Sequence, residues 1–254
     1  MKKKFNIKSI LFIGVVFLIF STLLSVSKNL GSSTSGNNSN TTTESSSVFE
    51  NTTIAFLGDS ITYGYVTKQG GQYANPYPKL VCESLNAKEC YNYGVGSSTL
   101  SNGDNSYKSF LDRYDEMASN LDIIGVMGGT NDWSKNIPLG TIDDVDGSTI
   151  YGSLNVLANA LKEKYPNAKI FFMSPLPRKE VWANSQGYKM LDVRNAVQQV
   201  AESHNFKFLD MYYLSGFENE MNTSSTDGVH PSQELVKTKI APTIAQFIKD
   251  NYNK

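Results

Sequence analysis

The chain of 254 residues carries 23 basic and 24 acidic residues, and 40% of it is hydrophobic, which is enough to bury one substantial core. Five lysines lie in the first 28 residues, which hold no acid, so the remainder has 18 basic and 24 acidic residues, a net charge of −6. An acidic domain without a basic stripe is a poor nucleic-acid binder, and this function class is excluded. Two cysteines, Cys82 and Cys90, are too few for a disulfide scaffold or a zinc site. Whether they form one bridge or remain thiols is open.

The chain opens with a basic and then an apolar segment. Four lysines within residues 1–8 precede the apolar run Ile10–Phe20, the order typical of export signals. The run continues more weakly to Val26, long enough to span a bilayer. We therefore predict that residues 1–27 are a signal peptide or an N-terminal signal anchor. Because the lysines stay cytoplasmic, the rest should be extracellular, either secreted or tethered to the outer face of the cell membrane.

A polar stretch separates this segment from the rest. Residues 31–47 contain only Gly, Ser, Thr, Asn and one Glu, which cannot bury apolar surface. We predict that residues 28–50 form a flexible linker and that residues 51–254 form one catalytic domain.

Short apolar runs alternate with amphipathic stretches from Thr52 onward. This alternation predicts a parallel sheet covered by helices on both faces, an α/β fold. The predicted strands are Thr53–Leu57, Cys90–Tyr93, Asp122–Met127, Lys169–Met173 and Phe206–Leu209. The predicted helices are Tyr77–Leu85, Tyr107–Ser119, Thr149–Lys164, Tyr188–Ser203 and one after Pro231.

Polar side chains follow two of the predicted strands. The first strand runs into Gly58-Asp59-Ser60, and the third runs into Gly128-Gly129-Thr130-Asn131. Ligands of such sheets bind outside the carboxyl ends of the strands. Ser60 and Asn131 are therefore expected at one edge of the sheet, facing a cleft.

A carboxylate and an imidazole lie close together near the C-terminus. Asp227 precedes His230 by three residues, and Pro231 keeps His230 out of helical geometry. Acyl transfer needs a hydroxyl nucleophile, a base that takes its proton and a carboxylate that orients the base. Ser60, His230 and Asp227 fit these three catalytic roles, and the Ser60 N–H with the Asn131 amide can serve as oxyanion donors.

At these positions the chain resembles the SGNH/GDSL hydrolases. It carries GDSIT around Ser60, GGTND around Asn131, and DGVHP around Asp227 and His230, in the family's order, over about residues 53–254. The resemblance implies a three-layer α/β/α flavodoxin-like fold with a five-stranded parallel sheet. It also implies ester hydrolysis through an acyl-enzyme, with no metal and no organic cofactor.

One block departs from the family pattern. The family has Asn-x-Gly-x-x-Gly, and the N–H of the last glycine serves the oxyanion hole, whereas this chain has Asn92-Tyr-Gly94-Val-Gly96-Ser97. The resemblance thus places the backbone N–H of Ser97 in the oxyanion hole. Gly96 is the alternative donor, because only glycine reaches a positive φ without penalty.

Other polar and aromatic side chains near the motifs are expected to have structural roles. Asp59 and Asp132, each in a turn beside a catalytic candidate, should support it by hydrogen bonding. Arg178 should form a salt bridge, and Trp133 and Trp182 should form walls of the cleft. The second histidine, His204, is expected as a favourable charge at a helix C-terminus.

Together these features predict an extracellular serine esterase that removes small acyl groups, such as acetyl, from a carbohydrate or a similar ester. Its partner would be a small-molecule or glycan ester, and the sequence does not indicate an oligomeric state. The alternatives are an O-acyltransferase acting on a cell-surface glycan and a non-catalytic surface binding module on the same fold.

Overall fold

A computed structural model describes residues 48–65, 72–102, 107–223 and 226–253. The predicted signal segment 1–27 and most of the predicted linker lie outside the described residues. Phe49, inside the predicted linker, is only 5% exposed and packs in the core, so the folded region extends at least to this residue. In the part of the chain that is described, no helix has the length and apolar character needed to cross a membrane.

The described residues form a five-stranded parallel sheet with strand order β2-β1-β3-β4-β5. The α/β fold class predicted from the sequence is confirmed. The strands are β1 Thr53–Gly58, β2 Glu89–Gly94, β3 Ile123–Met127, β4 Lys169–Met173 and β5 Lys207–Leu209.

Helices lie between the strands and after β5. They are α1 Ser60–Tyr63, α2 Tyr77–Leu85, α3 Phe110–Arg113, α4 Thr130–Ser134, α5 Ile150–Lys164, α6 Met190–Ser203, α7 Met211–Leu214, α8 Gln233–Leu235 and α9 Ala241–Tyr252. Single 3-10 turns occupy Tyr114–Glu116 and Phe217–Asn219, and the π-helical segment Val236–Ile240 joins α8 to α9.

The predicted helix Tyr107–Ser119 is wrong in its length, because α3 has only one turn before the 3-10 segment. Ser109 caps α3, since its hydroxyl accepts from the Asp112 N–H at 3.2 Å and its own N–H donates to the Asp112 carboxylate at 2.8 Å. At the other end, the Ala118 N–H donates to the Tyr93 hydroxyl at 3.0 Å. A backbone N–H bound by a side chain is not available to continue a helix.

Both faces of the sheet are buried, as its parallel strands require. Successive side chains alternate between the faces, so Ala55 and Leu57 point to one layer while Ile54 and Phe56 point to the other. The layer of α5 and α6 contributes Leu154, Leu157, Val193 and Val197, and the layer of α2 and α9 contributes Val81, Leu85, Ile244 and Ile248.

β1 lies between β2 and β3 in the sheet. The chain passes from β1 to β2 on one side and then crosses to β3 on the other side, so the direction in which successive strands are added switches next to β1. Gly58 at the end of β1 is in register with Gly94 of β2 and Met127 of β3. The three segments that follow these strands therefore begin side by side. In open α/β sheets this switch point is where ligands bind.

A disulfide bond joins α2 to β2. The sulfur atoms of Cys82 and Cys90 are 2.11 Å apart and their Cα atoms 6.0 Å apart. Of the two possibilities that the sequence left open, the structure contains the bridge.

Candidate active site

Ser60 is held at the carboxyl end of β1 by a capped helical turn. Asp59 is the N-cap of α1, and its carboxylate accepts from the Ile61 N–H at 2.9 Å. Ser60 is the first residue of α1, so its N–H has no acceptor within the helix and is free to bind an anion. A Cβ on Gly58 would lie 1.8 Å from the Thr62 hydroxyl, so only glycine allows this tight packing.

The His230 loop is built around the carboxylate of Asp227. One oxygen accepts from the N–H groups of Val229 at 2.9 Å and His230 at 2.8 Å, and the other lies 2.8 Å from His230 Nδ1. Burial raises the pKa of Asp227, but the hydrogen bonds from His230 and Val229 outweigh it and bring the pKa below its ordinary value. Asp227 is therefore a carboxylate that fixes the direction of the imidazole ring.

The predicted nucleophile and base are in contact. His230 Nε2 lies 2.8 Å from Ser60 Oγ, although 170 residues separate them in sequence. With Nδ1 protonated toward Asp227, Nε2 is the nitrogen that accepts the serine proton. The ring of Tyr65 packs beside the imidazole, with 5.0 Å between ring centroids.

Several contacts that the sequence analysis missed hold the His230 loop. The Tyr73 hydroxyl donates to the Pro231 carbonyl at 3.0 Å. The Glu220 carboxylate accepts from the Ser232 N–H at 2.6 Å and from its hydroxyl at 2.7 Å. The Lys179 N–H donates to the Gly228 carbonyl at 2.9 Å. No sequence motif signals these contacts, because they join segments that are far apart or irregular.

Asn131 follows β3 and turns toward the same edge. Gly129 precedes α4 with φ +108°, a conformation that favours glycine, and thereby starts the helix that carries Asn131. The Asn131 side-chain Nδ2 donates one proton to the Ser98 carbonyl at 2.9 Å. Because the amide has two protons, the second is available to a ligand.

Ser97 adopts a left-handed conformation, which favours glycine. Its φ is +62°, and it is the third residue of a turn in which the Ser98 N–H donates to the Val95 carbonyl at 3.3 Å. Lys135 stabilises the turn, since its Nζ donates to the Ser97 carbonyl at 2.8 Å. The N–H groups of Gly96 and Ser97 take no part in the bond that closes the turn. The choice between them as oxyanion donor stays a prediction.

Two buried carboxylates lie beneath the motif loops. Burial raises the pKa of Asp59 to about 7, with a smaller increase from the nearby Asp132 charge and opposing effects of the Ile61 N–H, Arg113 and Arg178. Burial also raises the pKa of Asp132, although its carboxylate accepts from the N–H groups of Leu100 and Ser101 and from the Ser101 hydroxyl. Both aspartates hydrogen-bond within the fold, in the manner expected from sequence.

The remaining singled-out residues lie around this framework. Arg178 pairs with Glu180 at 3.2 Å and stacks on Trp133, which is 6% exposed. Trp182 is 61% exposed and does not belong to the core. His204 ends α6 and lies 3.0 Å from the Asn155 side-chain oxygen. Burial, together with Lys162, lowers the pKa of His204, which disfavours the charged form expected from sequence.

Within the four described ranges, no group of three or more His, Cys, Asp or Glu side chains is arranged to hold a metal ion.

A parallel α/β sheet with serine, histidine and aspartate in contact at its carboxyl edge has the arrangement of a hydrolase. Residues 56–235 match the GDSL-like Lipase/Acylhydrolase family, and the chain belongs to that family. The family resemblance stated from the sequence motifs is confirmed.

Solved structures share this fold. A protein from Lactobacillus plantarum is 25% identical with a TM-score of 0.69, and the match covers 79% of this chain and 98% of that one. A carbohydrate acetylesterase family member from Sinorhizobium meliloti is 17% identical, with a TM-score of 0.60 and coverages of 78% and 98%. The aryl esterase of M. smegmatis is 18% identical, with a TM-score of 0.60 and coverages of 78% and 99%. A comparison with curated protein sequences found no match.

Proposed function

We propose that this protein is an extracellular serine esterase that hydrolyses carboxylic esters through Ser60, His230 and Asp227. The observation that carries the proposal is an unbroken hydrogen-bond chain. Asp227 lies 2.8 Å from one nitrogen of His230, and the other nitrogen lies 2.8 Å from the hydroxyl of Ser60. This is the geometry in which a base activates a hydroxyl while a carboxylate stabilises the resulting imidazolium.

Acylation begins when Ser60 Oγ attacks the ester carbonyl and its proton passes to His230 Nε2. The tetrahedral intermediate then collapses, and the leaving alcohol takes that proton from Nε2. A water molecule next attacks the acyl-enzyme, giving a proton to Nε2, which returns it to Ser60 Oγ as the carboxylic acid leaves. Asp227 stays ionised throughout, consistent with its lowered pKa.

Negative charge on the carbonyl oxygen needs donors that are already in place. The Ser60 N–H at the start of α1 and the second amide proton of Asn131 can both supply them. In our proposal the third donor is the N–H of Ser97. The αL conformation of Ser97, held through Lys135, supports this assignment.

We further propose that the substrate is a small-acyl ester, for example an acetylated carbohydrate. Two solved structures with this fold are described as a carbohydrate acetylesterase family member and an aryl esterase, which supports testing short acyl groups first. The disulfide of Cys82 and Cys90 supports an extracellular location, because such bonds persist in oxidising surroundings. The basic and apolar residues 1–27 provide the export signal in this proposal.

The test is turnover of p-nitrophenyl esters of increasing chain length, followed by acetylated glycans with and without added acceptor sugars. Ser60→Ala and His230→Ala should each lose nearly all activity, and the double variant should be little worse, because the two residues act as a unit. A fluorophosphonate should label the wild type and not Ser60→Ala. Ser84→Ala, on the exposed face of α2, is the matched control and should behave as wild type.

Each outcome discriminates between the functions considered. Full activity in Ser60→Ala would end the covalent mechanism. Transfer of the acetyl group to an added acceptor sugar, instead of its release as acetate, would favour the transferase. Lack of both turnover and fluorophosphonate labelling in the folded wild type would favour the binding module.

A further inference from the structure

Arg113 is a buried cation that the catalytic scheme does not use. Its side chain lies under the carboxyl edge of the sheet and the residue is 5% exposed. Nη1 donates to the Tyr93 carbonyl at 2.8 Å, and Nη2 donates to the Gly58 carbonyl at 3.0 Å and to the Ser98 hydroxyl at 2.9 Å. One planar group thus binds the ends of β1 and β2 and the turn that follows β2.

These acceptors are next to the proposed oxyanion donors. Gly58 is two residues before Ser60, the first residue of α1, and Ser98 directly follows Ser97. The carbonyl of Ser98 also accepts from the amide of Asn131 at 2.9 Å. The three proposed donors therefore belong to segments whose relative positions depend on contacts with one guanidinium or with Ser98.

The chemistry of these contacts requires arginine. A lysine has one nitrogen and cannot reach three acceptors in a fixed plane, whereas the guanidinium fork can. Burying a cation costs free energy, and the nearby carboxylate of Asp59 offsets part of that cost. The Arg113 Nε is a buried polar atom without a hydrogen-bond partner in the described structure. A buried cation with an unsatisfied nitrogen is costly for stability alone.

We propose that Arg113 is a positioning residue that sets the spacing of the oxyanion donors of Ser60, Ser97 and Asn131. It acts through the carbonyl of Gly58 and the hydroxyl of Ser98 and touches no substrate. The inference rests on the proposed esterase function and adds to it a residue outside the GDSIT, GGTND and DGVHP blocks.

The experiment compares Arg113→Lys with the wild type using p-nitrophenyl acetate and butylboronic acid. The boronic acid bonds to the serine oxygen and places a negative oxygen in the oxyanion hole. Displaced donors should reduce kcat by about 10–100-fold and weaken boronate affinity by a similar factor, while KM changes less than about threefold. A residue with only a structural role would lower the melting temperature without this parallel loss.

Arg194→Lys is the matched control. Arg194 is another largely buried arginine, which pairs with Asp210 and stacks on Phe208 at 5.1 Å, next to the edge strand β5. Its substitution should leave kcat and boronate affinity near wild type even if it lowers stability. Ser98→Ala is a second test variant, since it removes one acceptor and leaves the guanidinium in place. It should lose several-fold in both readouts.

A folded Arg113→Lys with kcat and boronate affinity within twofold of wild type would overturn the inference and leave the esterase proposal intact. If Arg113→Lys does not fold, the same result for Ser98→Ala would overturn it. A fall in kcat without a fall in boronate affinity would also reject it. A folded wild type that is inactive and binds no boronate would overturn the esterase proposal, and this inference with it.

Discussion

Replacing Asn131 by Ala should separate catalysis from stability, because the amide has two functions. One proton binds the Ser98 carbonyl at 2.9 Å, and the loss of such a bond lowers the free energy of unfolding by about 1 kcal/mol. For a domain of this size that corresponds to a fall of about 2–4 °C in melting temperature. The other proton is proposed to bind the oxyanion, and losing such a donor costs about 10²–10³ in kcat, roughly 3–4 kcal/mol.

The assay is steady-state hydrolysis of p-nitrophenyl acetate alongside thermal unfolding. Asn184→Ala is the control, because its Nδ2 also donates to a backbone carbonyl, that of Trp133 in α4, at 3.0 Å. Asn184 additionally accepts from the N–H groups of Gln186 and Tyr188, so this control should be at least as destabilised. Its kcat should stay near wild type. If the two variants lose equal turnover, the assignment of Asn131 to the oxyanion hole is refuted.

Two other predictions concern the same edge of the sheet. The pKa of Asp59 is raised from 3.8 to about 7, so the unfolded chain releases this proton at lower pH than the folded one, and wild-type stability falls as pH rises between those values. The free energy of unfolding of Asp59→Asn should therefore rise relative to that of the wild type across that window, by on the order of 4 kcal/mol above pH 7. Urea unfolding measures both free energies, and a difference between variant and wild type that does not change with pH would contradict this. Gly96→Pro removes the Gly96 N–H, at the second position of the Val95–Ser98 turn, where proline is favoured and a side chain meets no atom within 4 Å. Retained turnover supports Ser97 as the donor, and an inactive folded variant would transfer the role to Gly96.

The regular elements were largely predictable from sequence. The prediction for β4, Lys169–Met173, and that for α2, Tyr77–Leu85, agree with the structure at both ends. Continuous apolar runs predict buried parallel strands, and α2 has the proline near its N-terminus and the αL residue after its C-terminus that define helix ends. The prediction of a helix over Tyr107–Ser119 was wrong in its length. The α-helix ends at Arg113, and near the end of the stretch the Ala118 N–H is bound by the Tyr93 hydroxyl of β2, a contact between distant segments that no local pattern indicates.

For the candidate site, the sequence predicted the reacting side chains but not the residues that hold them in place. Ser60, Asn131, Asp227 and His230 lie in short motifs. The catalytic roles of Ser60, His230 and Asp227 predicted that these three meet, and the structure places them at hydrogen-bond distance. The residues that hold these side chains in place are not marked by any sequence motif. Arg113 contacts Gly58 across 55 residues, and Tyr73 contacts Pro231 across 158.

The sequence by itself determined the fold class, the segments that end at the site and the residue types needed for acyl transfer. These follow from local patterns of apolar residues and from chemistry that specific side chains alone provide. Only the tertiary structure decided that Ser97 takes a positive φ, that the two cysteines pair and that Arg113 lies beneath the proposed donors. Such features depend on contacts between carbonyls and side chains that are distant in sequence. No periodic pattern along the sequence predicts these contacts.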